Sequence, residues 1–320
     1  QNTQIVSTLT KKLIEASKHY PVVTLTGPRQ SGKTTLVRMA FPDYEYVSLE
    51  EPDQRTIALE DPRGFLSQFS DKVILDEVQH TPDLFSYIQT IVDIKDISGQ
   101  FVLTGSQNFL LLQKVSQSLA GRCAILHLLP LSLSEIRQRH PLSIDSIGQR
   151  LPKKNRYLDE DLATILLQGF YPRIHDKGLN PGDWLGNYYQ TYIERDVRDI
   201  LSVGDLETFS RFVRLCAGRN GQLLNLSSLA NDCGVTHTTS KRWISILETS
   251  FIVFLLRPHF KNFSKRLIKS PKLYFLDTGL LSYLLKIRSA DDLRIHAQYG
   301  SIFESFVISE LLINYLNRGV

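Results

Sequence analysis

The chain is short of cysteine and of long apolar runs, and each shortage removes a class of protein. Its three cysteines, Cys123, Cys216 and Cys233, lie far apart with no Cys-x-x-Cys or Cys/His ligand spacing. That excludes a disulfide scaffold and argues against a structural zinc. The longest unbroken apolar stretch, Phe251–Leu256, falls far below the ~20 residues of a membrane-spanning helix. Gln1–Leu13 has no apolar core followed by a small-residue cleavage site, so no secretory signal is read there. There is no internal repeat, no low-complexity segment and no Asn-Lys-x-Asp string of the kind that reads guanine. The residual expectation is an intracellular, cytoplasmic, soluble protein. Position 1 is not Met, and Val320 falls inside a predicted helix, so the sequence reads as a fragment or a processed form.

What is present is ordinary in bulk and uneven in arrangement. The 320 residues are 42% hydrophobic and 22% charged, a globular composition with length for two or three domains. The net charge is +4, but Val235–Phe275 holds eight Lys/Arg against Glu248 alone, leaving −3 for the rest. A local basic surplus suits a phosphate-binding surface, and a solvated loop carries the same charge.

From Pro21 to Leu133 short apolar runs alternate with helical ones. Strands are predicted at Pro21–Thr26, Tyr44–Leu49, Lys72–Leu75, Gln100–Thr104 and Cys123–Leu129. Helices are predicted at Gly32–Phe41, within Pro82–Ile94, and over Phe109–Ala120. Strands separated by helices imply a parallel, doubly wound α/β sheet. After Leu133 the strand signal fades. Ser134–His140, Asp159–Gln168 and Trp184–Leu201 read as helices, broken by turn-rich Gly169–Pro172 and Lys177–Gly182. Helices follow at Leu206–Ala217, after Asn225/Ser227, and at about Thr238–Thr249. Two strands, Ile252–Leu256 and Lys272–Leu276, flank a basic loop, and a last helix starts at Ile302.

The strongest motif is Gly27-Pro28-Arg29-Gln30-Ser31-Gly32-Lys33-Thr34, which fits G-x-x-x-x-G-K-[ST] and follows a strand. Gly27 and Gly32 permit a close backbone wrap, so the amides from Gln30 to Thr35 face phosphate oxygens at a helix N-terminus. Lys33 brings a mobile charge to the β/γ phosphates, and the Thr34 hydroxyl ligates Mg2+. The strand Val73–Leu75 ends in Asp76 and Glu77, carboxylates suited to holding Mg2+ and to deprotonating a water. Glu77 is what separates a hydrolase from a passive binder. At the end of the fourth strand, Ser106 is favoured as a hydrogen-bonding partner of the γ-phosphate or the attacking water, with Thr104 and Asn108 as alternatives. Arg122 stands where an arginine projects into a neighbouring subunit's γ-phosphate; a plain surface arginine is the other reading. Absence of a guanine-reading string favours ATP.

GPRQSGKTT, YVSLE, VILDEVQ, TGSQ, LAGR, PLSLSE, YIERDV, KSPKLYFLDTGL and GSIFESFVISEL occur in that order. Together they resemble the prokaryotic AAA+-type P-loop ATPases that carry a C-terminal domain of unknown function. The resemblance spans nearly the whole chain. It implies an α/β AAA+ core at 1–135 with a parallel sheet, and a helical lid or linker at 136–204. A winged helix-turn-helix at 205–276 and the start of a nuclease-like α/β portion at 277–320 follow. It puts Lys33, Thr34, Asp76 and Glu77 in their standard roles, Ser106 near the sensor position and Arg122 near the arginine-finger position. Phe303–Glu304 matches the family's helix, but the other residues of a nuclease-type site would lie past Val320, so no nuclease activity is assigned.

Within the winged-helix reading, Thr236, His237, Thr239, Lys241 and Arg242 face a DNA groove. Lys261, Lys265 and Arg266 lie on the wing. Winged helices also serve protein contacts, and that alternative stays open. The leading expectation is Mg-dependent ATP hydrolysis coupled to a winged-helix module on double-stranded DNA, with self-association supplying Arg122. The alternatives are a nucleotide-dependent switch or scaffold that barely hydrolyses ATP, and a DNA-binding regulator with a purely structural nucleotide.

Overall fold

The structure, a computed structural model, describes residues 7–69, 71–105, 117–139, 161–193, 206–259 and 270–318. The expectations for Ser106, Asn108, Lys261, Lys265, Arg266 and most of the Phe109–Ala120 helix fall outside them. Contacts divide the chain into two units: Thr3–Leu131 with Ile313–Val320, and Ser132–Leu312 with the first two residues.

The first unit begins with α1 (Thr10–His19) and β1 (Val22–Thr26), then α2 (Lys33–Ala40) and β2 (Glu45–Ser48). Next come α3 (Pro52–Glu60), α4 (Pro62–Ser67), β3 (Val73–Asp76), α5 (Leu84–Lys95), β4 (Phe101–Gly105) and β5 (Cys123–His127). The sheet order is β2-β3-β4-β1-β5, and every pairing is parallel. β1, β3 and β4 are buried throughout, whereas β2 and β5 at the edges are not. This matches the restriction of near-continuous apolar runs to the central strands.

Side-chain parity assigns the two faces. Val22, Val73, Leu75, Phe101 and Leu103 pack with α5 residues such as Phe85 and Ile88. Val23, Leu25, Ile74 and Val102 pack with Leu13 of α1 and with Leu36 and Val37 of α2. After β1 the chain goes to the far edge and returns through β3 and β4, so β4 separates β1 from β3. The crevice outside the carboxyl ends of the strands at such a reversal is where α/β sheets take ligands.

The second unit is helical with one ribbon. Its elements are α6 (Leu133–Ile136), α7 (Leu162–Gln168), α8 (Pro172–Lys177) and α9 (Pro181–Tyr188), which runs on into a π turn at Tyr189–Ile193. Then come α10 (Leu206–Gly218), α11 (Leu226–Cys233), α12 (His237–Thr249), β6 (Val253–Leu256), β7 (Lys272–Phe275), α13 (Thr278–Leu284), α14 (Ala290–Ile295) and α15 (Tyr299–Arg318), whose residues from Ile313 onward count with the first unit. β6 and β7 pair antiparallel, with Val253 opposite Phe275. One core runs through this unit from Ala163 to Ile302, with Phe209 and Phe212 edge-on to Trp243 at its centre. Asp277 joins distant segments: it accepts the Leu280 N–H that caps α13 and the Phe170 N–H, each at 2.7 Å. Burial lifts its carboxyl to about 6 against the pull of those backbone donors.

Several elements differ from their expected bounds. The helix expected at Ser134–His140 is only Leu133–Ile136, opened by a Ser132/Glu135 capping box. The helix expected from Trp184 starts at Pro181, because Asn180 caps it and Pro181 fills its first position. The last helix starts at Tyr299 rather than Ile302. Six helices (α1, α3, α4, α8, α13 and α14) had no counterpart in the sequence reading. Among the described residues no helix is long and apolar enough to cross a membrane.

Candidate nucleotide site

The turn between β1 and α2 has the backbone that its glycines predict. Gly27 has φ 155°, and a Cβ built there would lie 2.1 Å from the Leu128 carbonyl oxygen, so no other residue fits without moving β5's extension. Gln30 takes φ 63°, and Gly32, at 93°, stands at the N-terminus of α2 with no side-chain cap. The first amides of α2 therefore lack intrahelical or capping partners, which suits an anion. The Ser31 Oγ is buried with no hydrogen-bond partner among the described residues. Pro28 is buried, Arg29 half-buried, and Gln30 and Thr35 are exposed.

Lys33 opens α2 and is 6% exposed. Its Nζ donates to the carbonyls of Pro28 at 2.8 Å and Gly27 at 3.1 Å. Burial lowers its pKa to about 8, opposed by Glu77 and Asp76. Both carboxylates, together with the opposing charge of Arg29, act on Lys33, which brings the glycine turn and the β3 terminus into one site. The Thr34 hydroxyl makes this explicit by donating to Asp76 Oδ2 at 2.7 Å.

Asp76 has further partners. The Tyr46 hydroxyl of β2 donates to Oδ2 at 2.8 Å. The Thr104 hydroxyl at the end of β4 donates to Oδ1, as does the Glu77 N–H at 3.1 Å. Thr104, one of the three candidates at that strand end, is fully buried and committed to Asp76. Glu77 has φ 55°, and the Gln79 side-chain amide donates to its Oε2. Tyr46 was given no site role in the sequence reading. Its signal was parity: Tyr46 pairs with Ile74 in the β2–β3 register, two residues before the Ser48–Asp76 pair, so both side chains share the α2 face.

Arg122 lies elsewhere. It immediately precedes β5, at the sheet end opposite the glycine turn, and its carbonyl accepts from Val22 N–H where β1 begins. Its guanidinium forks onto Asp93 of α5, with Nη2 at 2.9 Å from Oδ2 and Nε on Oδ1, and Nη1 donates to the Ala120 carbonyl. Five residues of strand separate it from its own chain's phosphate turn, about 16 Å.

In the second unit Thr236 is the N-cap of α12, accepting from the Thr239 N–H at 3.1 Å, and the two threonine hydroxyls lie 2.9 Å apart. His237, Lys241 and Arg242 are exposed on the first turns of that helix.

Residues 19–137 match the AAA domain family. Over this segment the chain is similar to AAA domains. Residues 159–291 match a domain of unknown function. An uncharacterized protein of Mycobacterium tuberculosis, Rv2008c, is 32% identical over 303 residues, 94% of this chain and 64% of the relative. The chain thus spans less than two thirds of that relative's length. An uncharacterized Haemophilus influenzae protein is 23% identical over 321 residues, 91% of this chain and 74% of its own length. The Walker-type ATPase PABY2304 of Pyrococcus abyssi has a similar fold, with TM-score 0.50 and 15% identity, over 87% of this chain and 94% of that one.

Proposed function

We propose that the chain binds Mg-ATP in the turn from Gly27 to Thr35 and hydrolyses it, and that the second unit carries a winged helix-turn-helix on which nucleotide state acts. One observation carries the first part. The Thr34 hydroxyl lies 2.7 Å from Asp76, and the buried Lys33 at the start of the uncapped helix feels the charge of both Asp76 and Glu77. A hydroxyl and one carboxylate are the hard oxygen donors that Mg2+ takes alongside phosphates and waters. The site needs no cluster of three protein ligands, and none is found among the described residues. Thr34 and Asp76 would hold the ion, which when bound would neutralise charge on the β and γ phosphates.

In this reading the amides of Gln30 to Thr35 receive the phosphates, and Lys33 exchanges the Gly27 and Pro28 carbonyls for phosphate oxygens. Glu77 takes the proton of the attacking water as the γ-phosphoryl leaves ADP. Thr104 fixes Asp76, while Ser106 remains the proposed contact to the γ-phosphate. Arg122 can serve only a second copy's nucleotide, because its own lies at the other end of β5. Soluble cytoplasmic location belongs to the same proposal. The test is ATP turnover in magnesium buffer: wild type hydrolyses ATP, Lys33→Ala does not, and a wild type with no turnover under any partner condition refutes the reading.

The Gln79–Glu77 hydrogen bond supports a second reading, a nucleotide-dependent switch with little basal hydrolysis, since it engages the base. Gln79→Ala raising basal turnover several-fold would favour it. For the second unit, three helices followed by an antiparallel ribbon support a winged helix, with Thr236, His237, Thr239, Lys241 and Arg242 at the groove; Lys261, Lys265 and Arg266, outside the described residues, are proposed as DNA-backbone contacts from their charge alone. Duplex binding that weakens with salt is expected.

A further inference from the structure

The segment Tyr46–Glu50 recurs in the resemblance, yet no role was attached to it. In the structure its tyrosine reaches the carboxylate assigned to the ion. We propose that Tyr46 is a positioning residue: its phenol sets the orientation of Asp76 toward the divalent cation. The inference rests on the Mg-ATP reading above and deepens it.

A carboxylate at a strand end is free to rotate about its last bond unless both oxygens are held. Asp76 is held from both sides. Thr104 of β4 and the Glu77 N–H engage Oδ1. Tyr46 of β2 and Thr34 of α2 engage Oδ2, at 2.8 and 2.7 Å. Thr34 is itself a proposed ligand, so its bond to Asp76 is the one that ion binding must readjust. Its hydroxyl has one proton and two lone pairs, so it can donate and ligate only in a limited set of orientations. With Thr34 so engaged, Tyr46 is the side-chain donor left to hold Oδ2, as Thr104 holds Oδ1.

Tyr46 is itself fixed. Its strand pairs with β3 in register, and the Arg38 guanidinium of α2 stacks on its ring at 4.8 Å from the centroid. A phenol carries its proton across the neutral range and so can donate to the carboxylate there. Partners that orient a metal-ligating carboxylate change ion affinity by about 10- to 100-fold when removed.

Phe in place of Tyr46 deletes the donor and keeps the ring under Arg38, so Tyr46→Phe isolates the hydrogen bond. ATP affinity is measured by calorimetry with EDTA and across a Mg2+ series, for wild type and Tyr46→Phe. Expected is metal-free affinity within two-fold of wild type, and about a ten-fold or greater rise in the Mg2+ concentration that half-saturates the tightening of ATP binding. The metal-free affinity also reports that the variant is folded; if it is lost, Arg38→Met, which loosens the ring without touching the hydroxyl, is expected to give the same rise in smaller measure. An unchanged Mg2+ midpoint in folded Tyr46→Phe overturns the role of Tyr46 while leaving the nucleotide site intact. Wild type that shows no metal-dependent ATP binding overturns the site itself.

Discussion

Two carboxylates side by side at the end of β3 meet opposite conditions. Asp76 is buried and takes four hydrogen bonds, whereas Glu77 is half-buried and in left-handed backbone with Gln79 on its oxygen. Asp76 is built to stay where it is, and Glu77 to exchange partners. Glu77→Gln is therefore expected to keep ATP affinity within a few-fold and to lose about a hundred-fold or more in single-turnover hydrolysis; undiminished hydrolysis removes Glu77 as the base. Gly27→Ala places a methyl carbon against the Leu128 carbonyl. It is expected to cost roughly 2–4 kcal/mol in urea unfolding and to abolish ATP binding. In the second unit, burial raises Asp277 to about 6 and Glu310 to about 7. Both folded values lie above the unfolded ones, so the native state holds protons more tightly. Stability is then expected to fall as pH rises from about 4 to 7, and Asp277→Ala should remove part of that slope while destabilising the fold by freeing two buried N–H groups.

Among the elements, the strands of the sheet were the most legible, because β1, β3 and β4 are short apolar runs bounded by charged or turn residues and buried on both faces. Helices with little to bury were not. α3 buries only Ala58, and α8 only Ile174, so neither carries a 3.6-residue stripe, and their start signals, Pro52 and Pro172, had to stand alone. The glycine turn and acidic pair were readable because their spacing is local chemistry. Their approach to Tyr46 and Thr104 was not, because it depends on β2 and β4 each pairing with β3, a non-local outcome. At α12 the side chain of Thr236, a proposed groove residue, also caps the helix. Thr236→Ala is expected to lose about 1 kcal/mol in thermal unfolding. Lys241→Ala with Arg242→Ala should leave stability nearly unchanged and lower both duplex affinity and its salt slope.

At the scale of the whole molecule, the proposal that Arg122, placed away from its own phosphate turn, serves a second copy's nucleotide makes turnover depend on more than one copy. Arg122→Ala is expected to hydrolyse poorly while binding ATP normally. Mixing it with Lys33→Ala should restore activity that neither has alone, since one copy supplies the arginine and the other the intact phosphate turn. No recovery on mixing, together with turnover independent of protein concentration, would make Arg122 a surface residue paired with Asp93.

The convergence of the glycine turn with Asp76 and Glu77 on one polyphosphate is most directly tested by a crystal structure with Mg2+ and a non-hydrolysable ATP analogue. Expected are phosphate oxygens on the amides of Gln30 to Thr35, Lys33 Nζ released from the Gly27 and Pro28 carbonyls, and the ion beside Thr34 and Asp76. An analogue bound elsewhere, with Lys33 still on those carbonyls, would contradict it.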